Sequence, residues 1–160
     1  MATALKNKRQ VTGLAKIETH AKRIRDGHES VRPGQEFRMT TAFAPGDAVA
    51  QGDLTLEVVA GGPPQGYVEV NRPKASDRQL VPGQTQGARH CLDSLAGVKL
   101  WRPAKWTEES LDGPYFETNQ ERTVEHPVHG PVVIPAGMSI LCSYEKEWDR
   151  EQAKARRVAD

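Results

Sequence analysis

Two proline- and glycine-containing turns divide residues 121–144 into three short apolar segments, and this pattern constrains the fold more than any other part of the chain. The segments Thr123–His126, Pro131–Ile134 and Met138–Tyr144 are predicted to be β-strands. In the last of them Ile140 and Cys142 fall on one face, which we expect to be the core face.

The connections between these strands have the chemistry of tight turns. Pro127 and Pro135 stand early in the two turns, and proline fixes φ at about −65° there. Gly130 and Gly137 stand late, where we expect a positive φ. The stretch therefore predicts a hairpin followed by a third strand.

The alternation of short apolar segments and turns extends upstream, because the chain contains 14 glycines and 11 prolines. Such punctuation favours many short strands over a helix bundle. We predict a mainly β protein, a small sandwich or barrel, with a division into two β units as an alternative arrangement. Further predicted strands are Glu36–Thr41, Leu54–Ala60, Gly66–Val70, Gly87–Leu92 and Val98–Trp101.

Changes in composition suggest where the chain divides. A basic segment precedes the first predicted strands, and a stretch rich in polar residues, proline and glycine separates two groups of strands. The predicted parts are a basic N-terminal arm or helix (1–27), a first β unit (28–72), a linker or exposed loop (73–86), a second β unit (87–144) and a C-terminal helix (145–160).

The N-terminal segment carries charge that the rest of the chain offsets, since the net charge is only +1. It is either a solvated arm or a segment that binds a partner, which would be a neighbouring subunit or the phosphates of a nucleic acid. Interleaved aromatic residues, which favour single-stranded nucleic acid, are absent before Phe37. The predicted partner-binding residues here are Lys6, Lys8, Arg9, Lys16, Lys22, Arg23 and Arg25.

A helical period is expected after Tyr144. Trp148 and Ala155 belong to a narrow apolar stripe, and acidic residues precede basic ones, which complements a helix dipole. So short a helix is marginal alone, so it should pack on its own sheet or on another subunit. Trp148, Arg156 and Arg157 are therefore predicted to contact a partner.

The cysteines and the termini bear on location. Cys91 and Cys142 are isolated in sequence, and no apolar segment resembles a secretion signal or a membrane span. We expect buried, reduced thiols, synthesis in the cytoplasm and no contact with a membrane.

Three histidines are the candidates for chemistry. His126 and His129, together with His90 or Cys142, are candidate ligands of a three-ligand zinc site. The alternative, which we favour, is that the turn histidines cap backbone groups or are half-exposed. His90 precedes Cys91 on a predicted strand, where neighbours point to opposite faces, so it is not expected to activate that thiol. We expect no catalytic residue and no cofactor.

The end of the chain resembles a known group of proteins. The segments H-G-P-V-V-I-P-A-G, Y-E-K-E-W-D and R-R-V-A-D are similar to the endings of small, largely uncharacterised proteins of bacteria and their phages. The resemblance covers residues 83–160 and implies a compact β unit in a phage or prokaryotic setting. It also implies cytoplasmic synthesis in a bacterial host, with the virion as one destination. Those proteins also have an upstream T-G-H-x-H-like strand, whose first histidine is replaced here by Ala88.

These observations predict a non-enzymatic structural or assembly protein of a phage particle, such as a capsid-decorating or minor virion subunit. Its expected partners are copies of itself or other phage structural proteins. The alternatives are a small binding module that sequesters a host protein, nucleic acid or small ligand, and, more remotely, a zinc-dependent hydrolase that uses His90, His126 and His129.

Overall fold

The computed structural model describes residues 29–83, 89–149 and 154–157. The described residues are mainly β, as predicted, with one short 3₁₀ helix at Ala75–Arg78. The strands are β1 (Glu29–Ser30), β2 (Phe37–Arg38), β3 (Ala48–Gln51), β4 (Leu54–Val58), β5 (Tyr67–Glu69), β6 (Cys91–Leu92), β7 (Val98–Pro103), β8 (Asp112–Thr118), β9 (Arg122–Glu125), β10 (Val132–Ile134), β11 (Ser139–Tyr144), β12 (Lys146–Asp149) and β13 (Lys154–Arg157).

Two main sheets contain most of these strands. The larger has the order β1-β3-β4-β11-β8-β7-β5, and the smaller has the order β2-β10-β9-β6. Most neighbours are antiparallel, but β1 runs parallel to β3 and β2 runs parallel to β10. The chain passes repeatedly from one sheet to the other, so the segments 28–72 and 87–144, which we predicted as two β units, share both sheets.

The core joins the two sheets through alternating apolar residues. In β4 the residues Leu54, Leu56 and Val58 are buried while those between them are half-buried. In β11 the buried residues include Ile140 and Cys142, which confirms the predicted core face. These side chains belong to one apolar cluster that also contains Val124 and Val132 of the smaller sheet.

Strand β8 is a finding that the sequence pattern did not predict. Its first residues include Gly113 and Pro114, which usually interrupt a strand. The pairing of β8 with β11 shifts its register near this point, between Leu141 and Ser143. A β-bulge thus accommodates Gly and Pro inside a buried strand.

The segment 73–86, predicted as a linker or exposed loop, reaches the core. Residues 84–86 lie outside the described residues, but the 3₁₀ helix and the residues that follow it are described. Leu80 and Val81 are fully buried. The backbone N–H of Leu80 donates a hydrogen bond to the carbonyl of His90. This part of the chain is therefore packed against the domain.

The predicted C-terminal helix is wrong where the structure describes it. Strands β12 and β13 pair antiparallel with each other, in a two-stranded sheet of their own. The register places Glu147 opposite Arg156 and Asp149 opposite Lys154. The acidic and basic halves that suggested a helix dipole thus lie on two paired strands, and the same register places Lys146 opposite Arg157.

The predicted N-terminal arm or helix, residues 1–27, lies outside the described residues. No structural statement therefore applies to its basic residues or to the choice between arm and helix.

Candidate functional site

A buried polar network connects the two main sheets. It consists of Gln51 at the end of β3, Asp53 in the turn between β3 and β4, and His90 just before β6, all almost completely buried. His90 Nδ1 lies 2.9 Å from Gln51 Oε1, and His90 Nε2 lies 2.9 Å from Asp53 Oδ1. The Gln51 amide also bonds across to the smaller sheet.

The hydrogen bonds of Gln51 fix the protons of this network. Its Nε2 donates to the carbonyls of Val124, at 3.0 Å, and Gly130, at 2.7 Å. Its Oε1 must therefore accept, so His90 Nδ1 carries a proton and donates it. One further proton is needed between His90 Nε2 and Asp53 Oδ1. The pair is either imidazolium with carboxylate or neutral imidazole with carboxylic acid, and in both forms it holds that proton.

Three imidazole rings cluster beside this network, and neighbouring rings are tilted relative to each other. The centroids of His90 and His126 are 4.3 Å apart, and those of His126 and His129 are 4.5 Å apart. His90 and His129 are nearly parallel, at 12°, with centroids 6.2 Å apart. His126 and His129 are half-buried, whereas His90 is fully buried. The structure therefore brings together all three histidines that the sequence singled out.

His126 holds the turn between β9 and β10. Its Nδ1 accepts hydrogen bonds from the backbone N–H of Val128, at 3.1 Å, and of His129, at 3.0 Å. This matches the expectation that a turn histidine caps backbone groups. Because Nδ1 accepts, the neutral ring of His126 has its proton on Nε2.

Gly130 ends this turn for a reason that differs from the prediction. It is not among the described glycines with a positive φ, whereas Gly137, with φ of 86°, is. A Cβ at Gly130 would overlap the carbonyl oxygen of Gln35 and lie 2.9 Å from that of Arg32. Glycine is required here by the close approach of two backbones rather than by φ.

The arrangement does not resemble a metal centre. Within residues 29–83, 89–149 and 154–157, no group of three or more His, Cys, Asp and Glu side chains is placed to hold a metal ion. Both ring nitrogens of His90 face Gln51 and Asp53, and Nδ1 of His126 accepts from the backbone. What this arrangement does chemically is to keep a proton bound between His90 and Asp53.

Tyr144 forms a second polar centre at the end of β11. Its hydroxyl donates to the carbonyl of Leu80, at 2.6 Å, and accepts from Trp106 Nε1, at 3.1 Å. The guanidinium of Arg102 lies over the Trp106 ring, 4.2 Å from its centroid, and forms an ion pair with Asp77 at 2.7 Å. These contacts fasten the segment around Leu80 to the larger sheet.

Neither cysteine forms a disulfide. Burial raises the pKa of the Cys142 thiol well above its usual value, and burial is also the main cause that raises the pKa of Cys91. Both groups are therefore thiols at neutral pH, and thiols are poor nucleophiles.

The remaining predicted partner residues lie either on the C-terminal hairpin or in the N-terminal segment. Trp148 lies on β12, opposite Ala155 in the register. Arg156 and Arg157 lie on β13, opposite Glu147 and Lys146. The basic residues between Lys6 and Arg25, like Ala88, lie outside the described residues.

Sequence reasoning missed Gln51 and Asp53 as site residues. The segment Gln51-Gly52-Asp53 indicates a turn, and Gly52 does adopt a positive φ of 58°. The signal that could have found the pair is a strand that ends in two polar residues next to a tight turn. Their partner His90 is 37 to 39 residues away, however, and only the fold brings it there.

The fold and the site define a two-sheet β protein with a buried Gln–His–Asp bridge between its sheets. The chain belongs to the family described as a domain of unknown function, DUF8820, whose model matches residues 50–140. This segment contains the whole Gln51–His90–Asp53 network and the turn histidines, whereas β12 and β13 lie beyond it.

Two further comparisons bear on identity. Neither the curated proteins nor the solved structures contain a match to this chain. In the part of the chain that the structure describes, no helix has the length and apolar character needed to cross a membrane.

Proposed function

We propose that this protein is a non-enzymatic structural or assembly protein of a phage particle, a two-sheet sandwich that acts through contacts with copies of itself. The observation that carries the proposal is the separate C-terminal hairpin. Strand β11 is the central strand of the larger sheet, and β12 begins only one residue after it ends. The hairpin thus extends directly from the most firmly held strand of the domain.

A hairpin of this kind needs a binding surface. Among the described residues, β12 and β13 are hydrogen-bonded as strands to each other and not to either main sheet. A lone two-stranded hairpin is at best marginally stable in water. An arm that folds against a neighbouring subunit gains the contacts that it lacks by itself.

The receiving surface that we propose is the edge of the larger sheet at β5. In the described residues, β5 is the last strand of that sheet and pairs only with β7. The Val68 side chain on β5 is 59% exposed, and Glu69 beside it is also exposed. An exposed edge strand with an apolar side chain is a template for strand addition.

Charge also supports this pairing of β13 with β5. Strand β13 contains Lys154, Arg156 and Arg157, whereas β5 contains an acidic residue, Glu69. A basic strand next to an acidic edge is electrostatically favourable, and the interaction should weaken as salt rises. The phage setting is supported by the resemblance of residues 83–160 to proteins of bacteria and their phages.

The test uses two exposed valines as a matched pair. Lysine on an edge strand opposes strand addition, so Val68→Lys should shift the full-length protein towards monomer in analytical ultracentrifugation. Val128→Lys changes an equally exposed valine, at 60%, on the turn after β9, and it should leave the assembly unchanged. Equal effects of the two substitutions would contradict the proposed edge.

A second experiment tests the hairpin. Successive residues of a strand point their N–H groups to opposite sides, so one of two adjacent prolines must remove a bond between β12 and β13. Ala155→Pro combined with Arg156→Pro should therefore abolish assembly. The control, Ala155→Val with Arg156→Lys, keeps strand propensity and charge and should assemble normally. Assembly that survives the two prolines would exclude the hairpin as the arm.

A further inference from the structure

We infer that His126 is a proton-sensitive latch of the turn between β9 and β10, which holds the turn closed only while its imidazole is neutral. This inference does not depend on the proposed function. It rests on the two backbone hydrogen bonds that Nδ1 of His126 accepts, from Val128 at 3.1 Å and from His129 at 3.0 Å.

Protonation removes the acceptor on which these bonds depend. In an imidazolium ion both ring nitrogens carry a hydrogen, so Nδ1 can donate but cannot accept. A proton added to His126 therefore breaks both bonds at once and sets an N–H against the N–H groups of Val128 and His129. The His126 side chain is half-buried, although its Nε2 is a buried atom.

The surrounding groups add to this effect. Behind His126 lies His90, 4.3 Å away between ring centroids, which shares its proton with Asp53. On the same turn lies His129, at 4.5 Å. When His90 is an imidazolium or His129 is protonated, charge on His126 is opposed by a like charge within van der Waals reach.

The other charged groups near the turn lie on neighbouring segments. Glu125 precedes His126 and is exposed at the end of β9, opposite Cys91 in the register. Arg78 and Arg89 act on the electrostatics of that cysteine. Arg32 meets the turn through its main-chain carbonyl, next to Gly130. Glu125, the single carboxylate on β9, and these two arginines thus all act on the same cysteine.

Opening of the turn would affect the buried core through the carbonyl of Gly130. The carbonyl of Gly130 accepts a 2.7 Å bond from Gln51, whose Oε1 faces His90. Movement of the turn therefore removes one acceptor from the buried bridge between the sheets. The physical consequence is that acidification loosens the smaller sheet from the larger one.

The sign of the pH dependence follows from the protonation states. The unfolded chain protonates His126 near the ordinary value for histidine, about 6.5, whereas the folded turn requires the neutral ring. The contribution to stability is therefore complete at neutral pH and is lost as the pH falls. From pH 7.5 to pH 5.5, His126 alone should raise the unfolding equilibrium constant by about tenfold.

The experiment compares chemical denaturation of the full chain at these two pH values with that of two variants. In His126→Asn the side-chain carbonyl can accept the same backbone N–H groups, as in an Asx-turn, but it does not titrate in this range. The increase in the unfolding equilibrium constant from pH 7.5 to pH 5.5 should be about tenfold smaller in this variant than in the wild type. His129→Asn, which keeps His126, should retain the wild-type increase. An unchanged increase in His126→Asn would overturn the inference.

Nuclear magnetic resonance of the wild-type protein tests the latch even if a variant fails to fold. At pH 7.5 long-range proton–nitrogen spectra should show His126 with its proton on Nε2 alone. On acidification the amides of Val128 and His129 should lose protection from hydrogen exchange together with the titration of His126. A proton on Nδ1 at pH 7.5, or protection that is constant through the titration, would contradict the latch.

Discussion

The hydroxyl of Tyr144 donates a 2.6 Å hydrogen bond to the carbonyl of Leu80, 64 residues earlier in the chain. Tyr144 ends the central strand β11, and Leu80 is fully buried in a segment without regular strand structure. This bond and the one from Trp106 Nε1 use the hydroxyl as both donor and acceptor. A single oxygen thereby fixes a long connection against the larger sheet.

Tyr144→Phe should destabilise the protein by about 1–3 kcal/mol, because it leaves a buried carbonyl and an indole N–H without their partner. The free energy of unfolding from denaturant titration measures this loss. Tyr115→Phe is the control, since that hydroxyl bonds to the side chains of Glu117, two residues away, and of Ser139 on the neighbouring strand. The control should cost less than Tyr144→Phe, and equal costs would argue against the fastening role of Tyr144.

Asp53 can be tested by two substitutions that differ in hydrogen bonding. Asp53→Ala leaves His90 Nε2 buried without that partner, and breaking a buried pair in this way costs about 3–5 kcal/mol. Asp53→Asn offers an amide that can donate to a neutral His90, so it should cost less than half as much. Denaturant titrations of both variants give the comparison. A larger loss for Asn than for Ala would show that the network is not organised as described.

Gly130→Ala should be more harmful than Gly137→Ala. A Cβ at position 130 meets the Gln35 and Arg32 carbonyls, which are backbone atoms that cannot rotate away, and overpacking of this kind costs about 1–3 kcal/mol or more. At Gly137 no atom lies within 4 Å, so the cost is the strain of a positive φ, about 1–2 kcal/mol. Thermal unfolding of the two variants should rank them in this order, and the reverse order would contradict the close backbone approach.

Ionisation of the Tyr67 hydroxyl should lower the stability of the protein at high pH. Burial, followed by the charge of Asp112, raises the pKa of Tyr67 to about 12. The folded state therefore keeps a proton that the unfolded chain releases near pH 10, so this contribution is complete below about pH 10 and is lost as the pH rises towards 12. Absorbance titration at 295 nm should show a late-ionising tyrosine that Tyr67→Phe removes. A titration identical in the variant would disprove the assignment.

The sequence predicts the strands that alternate cleanly and misses those that carry turn residues. β4 and β11 combine a two-residue period with β-branched or leucine side chains, so their faces can be assigned from the residues alone. β8 begins with Gly113 and Pro114, and only the bulge opposite β11 makes them compatible with a strand. Local rules could not foresee this, because the bulge depends on a partner strand distant in sequence.

The candidate site shows the same limit. The H-x-x-H turn and His90 were identified from residue type, and the structure does bring their rings together. Gln51 and Asp53 set the protonation of His90, but their local sequence indicates only a turn. At the C-terminus, segregated charge is compatible with both a helix dipole and a cross-strand ladder, so charge order alone did not distinguish the two.

The proposed function requires that this chain assembles with copies of itself. Size-exclusion chromatography of the full-length protein with multi-angle light scattering, at low salt and high protein concentration, tests it most directly. We predict a particle whose mass is a multiple of 17.7 kDa and which dissociates as salt is raised. A mass of 17.7 kDa at every concentration and salt condition would show that the chain does not self-assemble.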